Sequence, residues 1–204
     1  GPEKRLVLSR FVQPLLTSVS LGYLQLLVEK GVTADVVLGH SLGEITALGG
    51  AGVVTAPDAV AIATKRGMFM DEMAAKVNGG MMAVIMVPLP EVEELLEELN
   101  EPDRIVLAND NSPKQVVVTG DMEMLDAFAA KVKERKLGTC RKLVVAGPWH
   151  SHYMTEARTA FEEWAEPIHF GHPETPIILN ATAKEEAHPT TIKHLVTWQL
   201  TAPV

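Results

Sequence analysis

Basic residues, cysteines and long apolar runs are all scarce in this chain. Its 18 Lys and Arg residues are outnumbered by 26 Asp and Glu, for a formal charge of −8. A phosphate backbone is held by a basic field, so nucleic acid is excluded as the main partner. The single cysteine, Cys140, rules out a disulfide framework and any multi-thiolate metal site. No apolar run approaches the roughly 18–20 residues of a membrane span, so no membrane partner is expected. The N-terminus lacks the apolar core of a signal peptide, and the expected compartment is a reducing cytoplasm. What is present is 204 residues, 47% apolar and 22% charged, the composition of a soluble globular chain with one large domain or two small ones. There is no internal repeat and no low-complexity segment.

Both ends read as cut. Gly1-Pro2 has the form of a scar left by tag removal, and residues 198–204 stop without a helix stop or a polar tail. The expectation is a piece of a longer polypeptide.

The first stretch is helical, with Leu16, Val19, Tyr23 and Leu26/Leu27 recurring every three or four residues and Gly31 as the stop. A β-branched run over 34–38 suits a buried strand and leads into Gly39-His40-Ser41-Leu42-Gly43 and a second apolar helix. Thr55-Ala56-Pro57-Asp58 opens a third helix, with Thr55 as N-cap and an acid three residues on. Over 78–148 the pattern changes. Strands are expected at 80–87, 104–109, 115–119 and 141–145, with helices at 91–99 and 121–136, which is the βαββαβ order of a ferredoxin-like unit. After it come a helix at 156–166, a strand at 176–179 and a helix from about 191. The fold class is therefore α/β: a large subdomain of residues 3–77 and 149–204 carrying an inserted ferredoxin-like subdomain of residues 78–148.

Gly39-x-Ser41-x-Gly43 between a strand and a helix is the pattern of a nucleophile on a sharp turn. Flanking glycines relieve the crowding of such a turn, and the N–H of Leu42 points to where an oxyanion would form. Serine needs a base, and of seven histidines His150 stands out because it follows the last strand of the insert; His152 is its nearest competitor. The other histidines beyond His40 (His169, His172, His188 and His194) lie in polar segments and read as solvated. No acid stands out as a third member. Arg66, Met70 and Met73 share a helix face at i, i+4 and i+7, and a guanidinium in an apolar pocket makes a bidentate pair with a carboxylate.

Gly39-His40-Ser41-Leu42-Gly43-Glu44 resembles the nucleophile motif of the malonyl-CoA:acyl-carrier-protein transacylase family, including the acyltransferase domains of fatty acid and polyketide synthases. The resemblance continues at Lys65-Arg66-Gly67-Met68-Phe69-Met70, at Gly80-Met81-Met82-Ala83-Val84, at Ala108-Asn109-Asp110-Asn111-Ser112-Pro113-x-Gln115-Val116-Val117 and at Trp149-His150-Ser151-His152-Tyr153-Met154. It covers nearly the whole chain. It implies an α/β-hydrolase-like body with a ferredoxin-like subdomain, matching the pattern above. It implies Ser41 and His150 as the catalytic pair, with the histidine oriented by a main-chain carbonyl at the position of Gln199. It implies Arg66 as the holder of the free malonyl carboxylate, with His40, Met70 and Trp149 beside the substrate. The bulk of Trp149, where the family often has Phe for malonyl and Ser for branched units, points to malonyl over methylmalonyl.

The implied partners are malonyl-CoA, a coenzyme A thioester taken as substrate rather than cofactor, and an acyl carrier protein; no metal or redox cofactor is indicated. Carrier proteins are usually acidic, and Lys131, Lys133, Arg135, Lys136, Arg141 and Lys142, opposed only by Glu134, supply a basic docking patch. The glycine- and glutamine-rich loop with which the family begins has no match before Arg5, and the family's last elements are not seen after Gln199. Two other readings share the same residues: a serine hydrolase or thioesterase with the same turn, and an acyltransferase-like scaffold without activity.

Overall fold

The computed structural model describes residues 5–204; Gly1-Pro2, expected to be a tag scar, lies outside them. In chain order the elements are α1 (Ser9–Glu29), α2 (Leu42–Gly50), α3 (Ala56–Ala74), β1 (Gly79–Ile85), α4 (Leu89–Leu99), β2 (Ile105–Ser112), β3 (Gln115–Asp121), α5 (Met122–Glu134), β4 (Thr139–Lys142), α6 (Thr155–Ala165), β5 (Ile177–Leu179), β6 (Lys184–Glu186) and α7 (Pro189–Trp198). They form two compact units. One comprises residues up to Phe69 with Arg158–Gln199, the other Met70–Ala157 with Leu200–Val204. These divisions differ from the expected 77/78 and 148/149 boundaries. The C-terminal residues join the second unit because Val204 exchanges main-chain hydrogen bonds with Ala108 and Asp110 of β2.

The second unit has the βαββαβ order read from the sequence. Its sheet runs β2-β3-β1-β4 with every pair antiparallel, the ferredoxin-like arrangement. Helices α4 and α5 pack on the sheet around Val84, Leu95, Val118, Leu125 and Phe128, all fully buried; each such side chain contributes roughly 1.5–3 kcal/mol of burial. Asp121 caps α5, its Oδ1 accepting from Met124 N–H at 2.9 Å. Asn100 ends α4 in the left-handed conformation, φ 52°. Strand β4 starts two residues earlier than the expected 141, because Gly138 fits against the Ile85 carbonyl, where a Cβ would clash, and sets the register at Ile85–Thr139.

The first unit departs further from expectation. The strand expected at 34–38 is reduced to one parallel bridge: Val37 N–H donates to Pro176 O at 2.8 Å and Val37 O accepts from Ile178 N–H at 3.0 Å. The ladder goes no further, and Asn180 N–H, a later donor in the same register, is taken by the Glu44 carboxylate at 2.5 Å. The core gathers around Ile45, Leu48, Ile62, Phe161, Ile177 and Leu179. Thr55 caps α3 as its sequence suggested, exchanging hydrogen bonds with Asp58. Lys193 ends α6 by donating to the carbonyls of Ala165, Glu166 and Ile168, groups the helix itself leaves unpaired. Helix α7 begins at Pro189, the proline at its first turn, rather than near 191.

Helix α1 is inverted relative to its apolar periodicity. Ser9, Gln13 and Thr17, spaced i, i+4 and i+8, are the buried residues, whereas Leu16, Val19, Tyr23, Leu26 and Leu27 are exposed. Gly67 makes this possible: any Cβ there would collide with the Ser9 carbonyl, so its absence lets the two backbones touch. By length and composition α1 is also long enough and apolar enough to cross a membrane, contrary to the expectation that no segment is. Its polar stripe is nonetheless committed to the site described next.

Candidate active site

Ser41 lies on the turn into α2 with φ 51° and ψ −101°. A non-glycine residue held there carries about 1–3 kcal/mol of strain, which the surrounding contacts must over-determine. Gly39 is essential to the turn, since a Cβ would run into the Gly43 carbonyl; Gly43 itself faces open space, so only one of the two glycines relieves crowding. The first turn of α2 closes with Gly43 N–H donating to His40 O at 2.9 Å and Glu44 N–H to Ser41 O at 3.1 Å. The N–H of Leu42, the first helical residue, has no partner within the helix and is available to an anion.

Arg66 from α3 reaches this turn. It is 1% exposed, and its Nη2 donates to Ser41 Oγ at 3.0 Å and to Gln199 Oε1 at 2.7 Å, while Nη1 donates to Gln13 Oε1 at 2.9 Å. Nε is buried without a partner. No carboxylate forms an ion pair with this guanidinium among the described residues. The nearest counter-charge is Glu44, fully buried on α2, which acts on Arg66 through space. Burial pushes Arg66 down to about 10, partly offset by Glu44, so it stays protonated at neutral pH. Burial likewise pushes Glu44 up to about 7, against the pull of Asn180 N–H, Arg66 and Gln199. A buried cation met by neutral acceptors alone costs several kcal/mol, and an incoming carboxylate would relieve that cost.

Three side chains complete the cluster. Asn180, directly after β5, accepts Ser41 N–H on Oδ1 at 2.7 Å and donates Nδ2 to Gly39 O at 2.7 Å. Gln199, expected to act through its main-chain carbonyl, contributes its side chain here, Nε2 donating to Ser41 O at 3.0 Å and to Asn180 Oδ1 at 3.2 Å. Gln13 arrives on the polar stripe of α1. Gln13, Asn180 and Glu44 were not picked out as site residues. Glu44 in an otherwise apolar helix, and polar residues at i, i+4 and i+8 on α1, were the available signals.

The second unit holds His150, Trp149 and Met70, all buried, with His150 at φ 59°. Among the described residues His150 is the one buried histidine; His40, His152, His169, His172, His188 and His194 are exposed. The turn that carries His150 is fixed by Ser151 Oγ donating to Pro148 O at 2.6 Å.

The basic patch in the same unit is less free than its sequence suggested. Arg135 pairs with Glu94 at 3.0 Å and with Glu98, Lys131 with Glu98 at 3.2 Å, and Lys142 with Asp126 at 2.6 Å. Acids on α4 and α5, not Glu134 alone, oppose it. No ion pair among the described residues involves Lys133, Lys136 or Arg141, and all three are exposed. No three His, Cys, Asp or Glu side chains among the described residues group so as to hold a metal ion.

The malonyl CoA-acyl carrier protein transacylase of Bacillus subtilis (strain 168) is 32% identical over 205 residues, and that of Synechocystis sp. 33% identical over 204. All of this chain is covered in both matches, but it spans only 65% and 67% of those proteins. The crystal structure of MCAT from Streptococcus pneumoniae superposes with a TM-score of 0.93 at 32% identity, covering 100% of this chain and 67% of that one. A type II PKS acyl-carrier protein in complex with its malonyl-transacylase superposes with a TM-score of 0.95 at 31% identity, covering 100% of this chain and 66% of that one. The acyl transferase domain family matches residues 1–204, and the chain belongs to that family.

Proposed function

We propose that this chain carries the chemistry of its relatives: transfer of a malonyl group from coenzyme A to the phosphopantetheine thiol of an acyl carrier protein, through an acyl ester on Ser41. The observation that carries this reading is the buried Arg66 guanidinium, 3.0 Å from Ser41 Oγ and met only by neutral acceptors. A thioester whose acyl group ends in a carboxylate satisfies both groups at once. Plain acyl chains leave the cation unpaired.

In the free site Ser41 Oγ accepts from Arg66, which leaves the hydroxyl its role as proton donor in the reaction. His150 takes that proton as Oγ attacks the thioester carbon, and Leu42 N–H meets the oxygen as it becomes negative. The C–S bond breaks and His150 returns the proton to the departing thiolate. The carrier thiol then loses its proton to His150 and attacks the ester, and Ser41 recovers its hydrogen. Trp149 leaves little room for a branched unit, although one methyl group is worth only about 1–3 kcal/mol of discrimination. Both substrates belong to the cytoplasm, and we place the reaction there.

The test is incubation with malonyl-CoA, or acetyl-CoA in parallel, followed by intact-mass measurement. A malonyl adduct on the wild type and none on Ser41→Ala is expected, with little acetyl adduct. Absence of a malonyl adduct on the wild type, or equal adducts from both thioesters, overturns the reading.

A further inference from the structure

Asn180 continues, by side chain, a ladder that its main chain has abandoned. Val37 pairs with Pro176 and Ile178 in parallel register, and that pattern continued would join Gly39 N–H to Ile178 O and then Gly39 O to Asn180 N–H. That N–H is instead held by Glu44 Oε2 at 2.5 Å. The carboxamide of Asn180 takes over, with Nδ2 on Gly39 O and Oδ1 on Ser41 N–H, both at 2.7 Å. Two bonds to residues flanking His40 splint the backbone where Ser41 adopts its strained φ. Gln199 Nε2 steadies the same Oδ1. Glu44 is fully buried, and its second oxygen, Oε1, has no hydrogen-bond partner.

We propose that Asn180 and Glu44 are positioning residues, Asn180 splinting Gly39 to Ser41 and Glu44 holding Asn180, so that the serine and the adjoining Leu42 N–H keep the geometry acyl transfer requires. This rests on the acyl-serine reading above. Neither side chain need touch the substrate.

The test compares wild type with Asn180→Ala, Asn180→Asp, Glu44→Ala and Glu44→Gln by three readouts. The rate of Ser41 sulfonylation by phenylmethylsulfonyl fluoride reports the nucleophile without any need for malonyl-CoA. Exchange of the Ser41 amide hydrogen reports the splint without any chemistry, and thermal unfolding reports the fold. Asn180→Ala is expected to slow sulfonylation at least 30-fold and to speed Ser41 amide exchange at least 10-fold. Asn180→Asp, which keeps the acceptor for Ser41 N–H but loses the donor to Gly39, should slow sulfonylation similarly with a smaller rise in amide exchange, even if it melts as the wild type does. Glu44→Ala should follow, while Glu44→Gln, which keeps an oxygen for Asn180 N–H, should recover to within threefold of wild type. Unchanged amide exchange in Asn180→Ala overturns the splint, as do losses that simply track melting temperature or a Glu44→Gln no better than Glu44→Ala. If the wild type takes neither acyl nor sulfonyl group, the acyl-serine reading fails, and the exchange measurement alone decides the splint.

Discussion

Arg66 Nη2 and Ser41 Oγ lie 3.0 Å apart, a permanent cation in direct contact with the candidate nucleophile. Helix α3 delivers the arginine and the Gly39 turn delivers the serine, so two separate elements converge on one point. Replacing Arg66 by Ala would remove the two charge-assisted bonds proposed to hold the malonyl carboxylate, each worth about 1.5–3 kcal/mol. The expected result is a fall of at least about 100-fold in kcat/KM for malonyl-CoA, with acetyl-CoA turnover unchanged or higher. Steady-state kinetics on both thioesters decide it; parallel losses would remove Arg66 from substrate selection.

Glu44 makes stability depend on pH. Burial raises its carboxyl from 4.5 to about 7 in the folded chain. The folded state therefore binds this proton more tightly than the unfolded one. The stability it contributes is fully present below about pH 4.5 and is lost as the pH rises to about 7, some 3 kcal/mol in all. Glu44→Gln has no such dependence. Urea unfolding at pH 5 and pH 8 should show the variant gaining on the wild type at the higher pH, and parallel curves would refute this.

Asp121 serves two partners, accepting Met124 N–H as the cap of α5 and Arg104 Nε at 2.7 Å. Burial pushes its carboxyl up, but the Arg104 and Met124 hydrogen bonds outweigh that and hold it below 3.8. Asp121→Ala should cost about 1–2 kcal/mol, mostly from the cap. Asp121→Asn, which keeps an acceptor for Met124, should cost less than half as much in the same unfolding assay. Equal losses would show that the ion pair, not the cap, matters.

Carrier docking should depend on the exposed cations that no acid pairs. Lys136→Glu is expected to raise the KM for an acyl carrier protein several-fold, more steeply at low salt, and to spare the KM for malonyl-CoA. Arg135→Glu also breaks the contacts with Glu94 and Glu98 and should lower stability as well. Equal effects of Lys136→Glu on both KM values would end the docking idea.

Features written into local sequence were legible. The Thr55–Asp58 box, the start of the helix at 121 and the alternating strands of the second unit need only neighbours along the chain. The Gly39-x-Ser41 turn was legible for the same reason. Asn180 was not, because its partners are 139 and 136 residues away and nothing around it differs from an ordinary strand end. The pairing of Arg135 with α4 acids is likewise a matter of two helices meeting. The run at 34–38 keeps only the Val37 bridge, and Asn180 N–H, which a longer ladder would use, goes to Glu44 instead. The apolar period of α1 marked a helix correctly but not which side turns inward; the buried guanidinium, with its need for acceptors, decided that.

That orientation has a practical corollary. Within these 204 residues, about two thirds of the relatives' length, a helix that hides glutamine and threonine while showing leucine, valine and tyrosine leaves an adhesive flank well beyond the scattered apolar atoms of ordinary surfaces. In dilute buffer it should light up a solvatochromic dye such as ANS while still melting cooperatively. Substituting Leu16, Val19 and Leu27 by Lys should quench that fluorescence and leave Arg66 and Ser41 undisturbed.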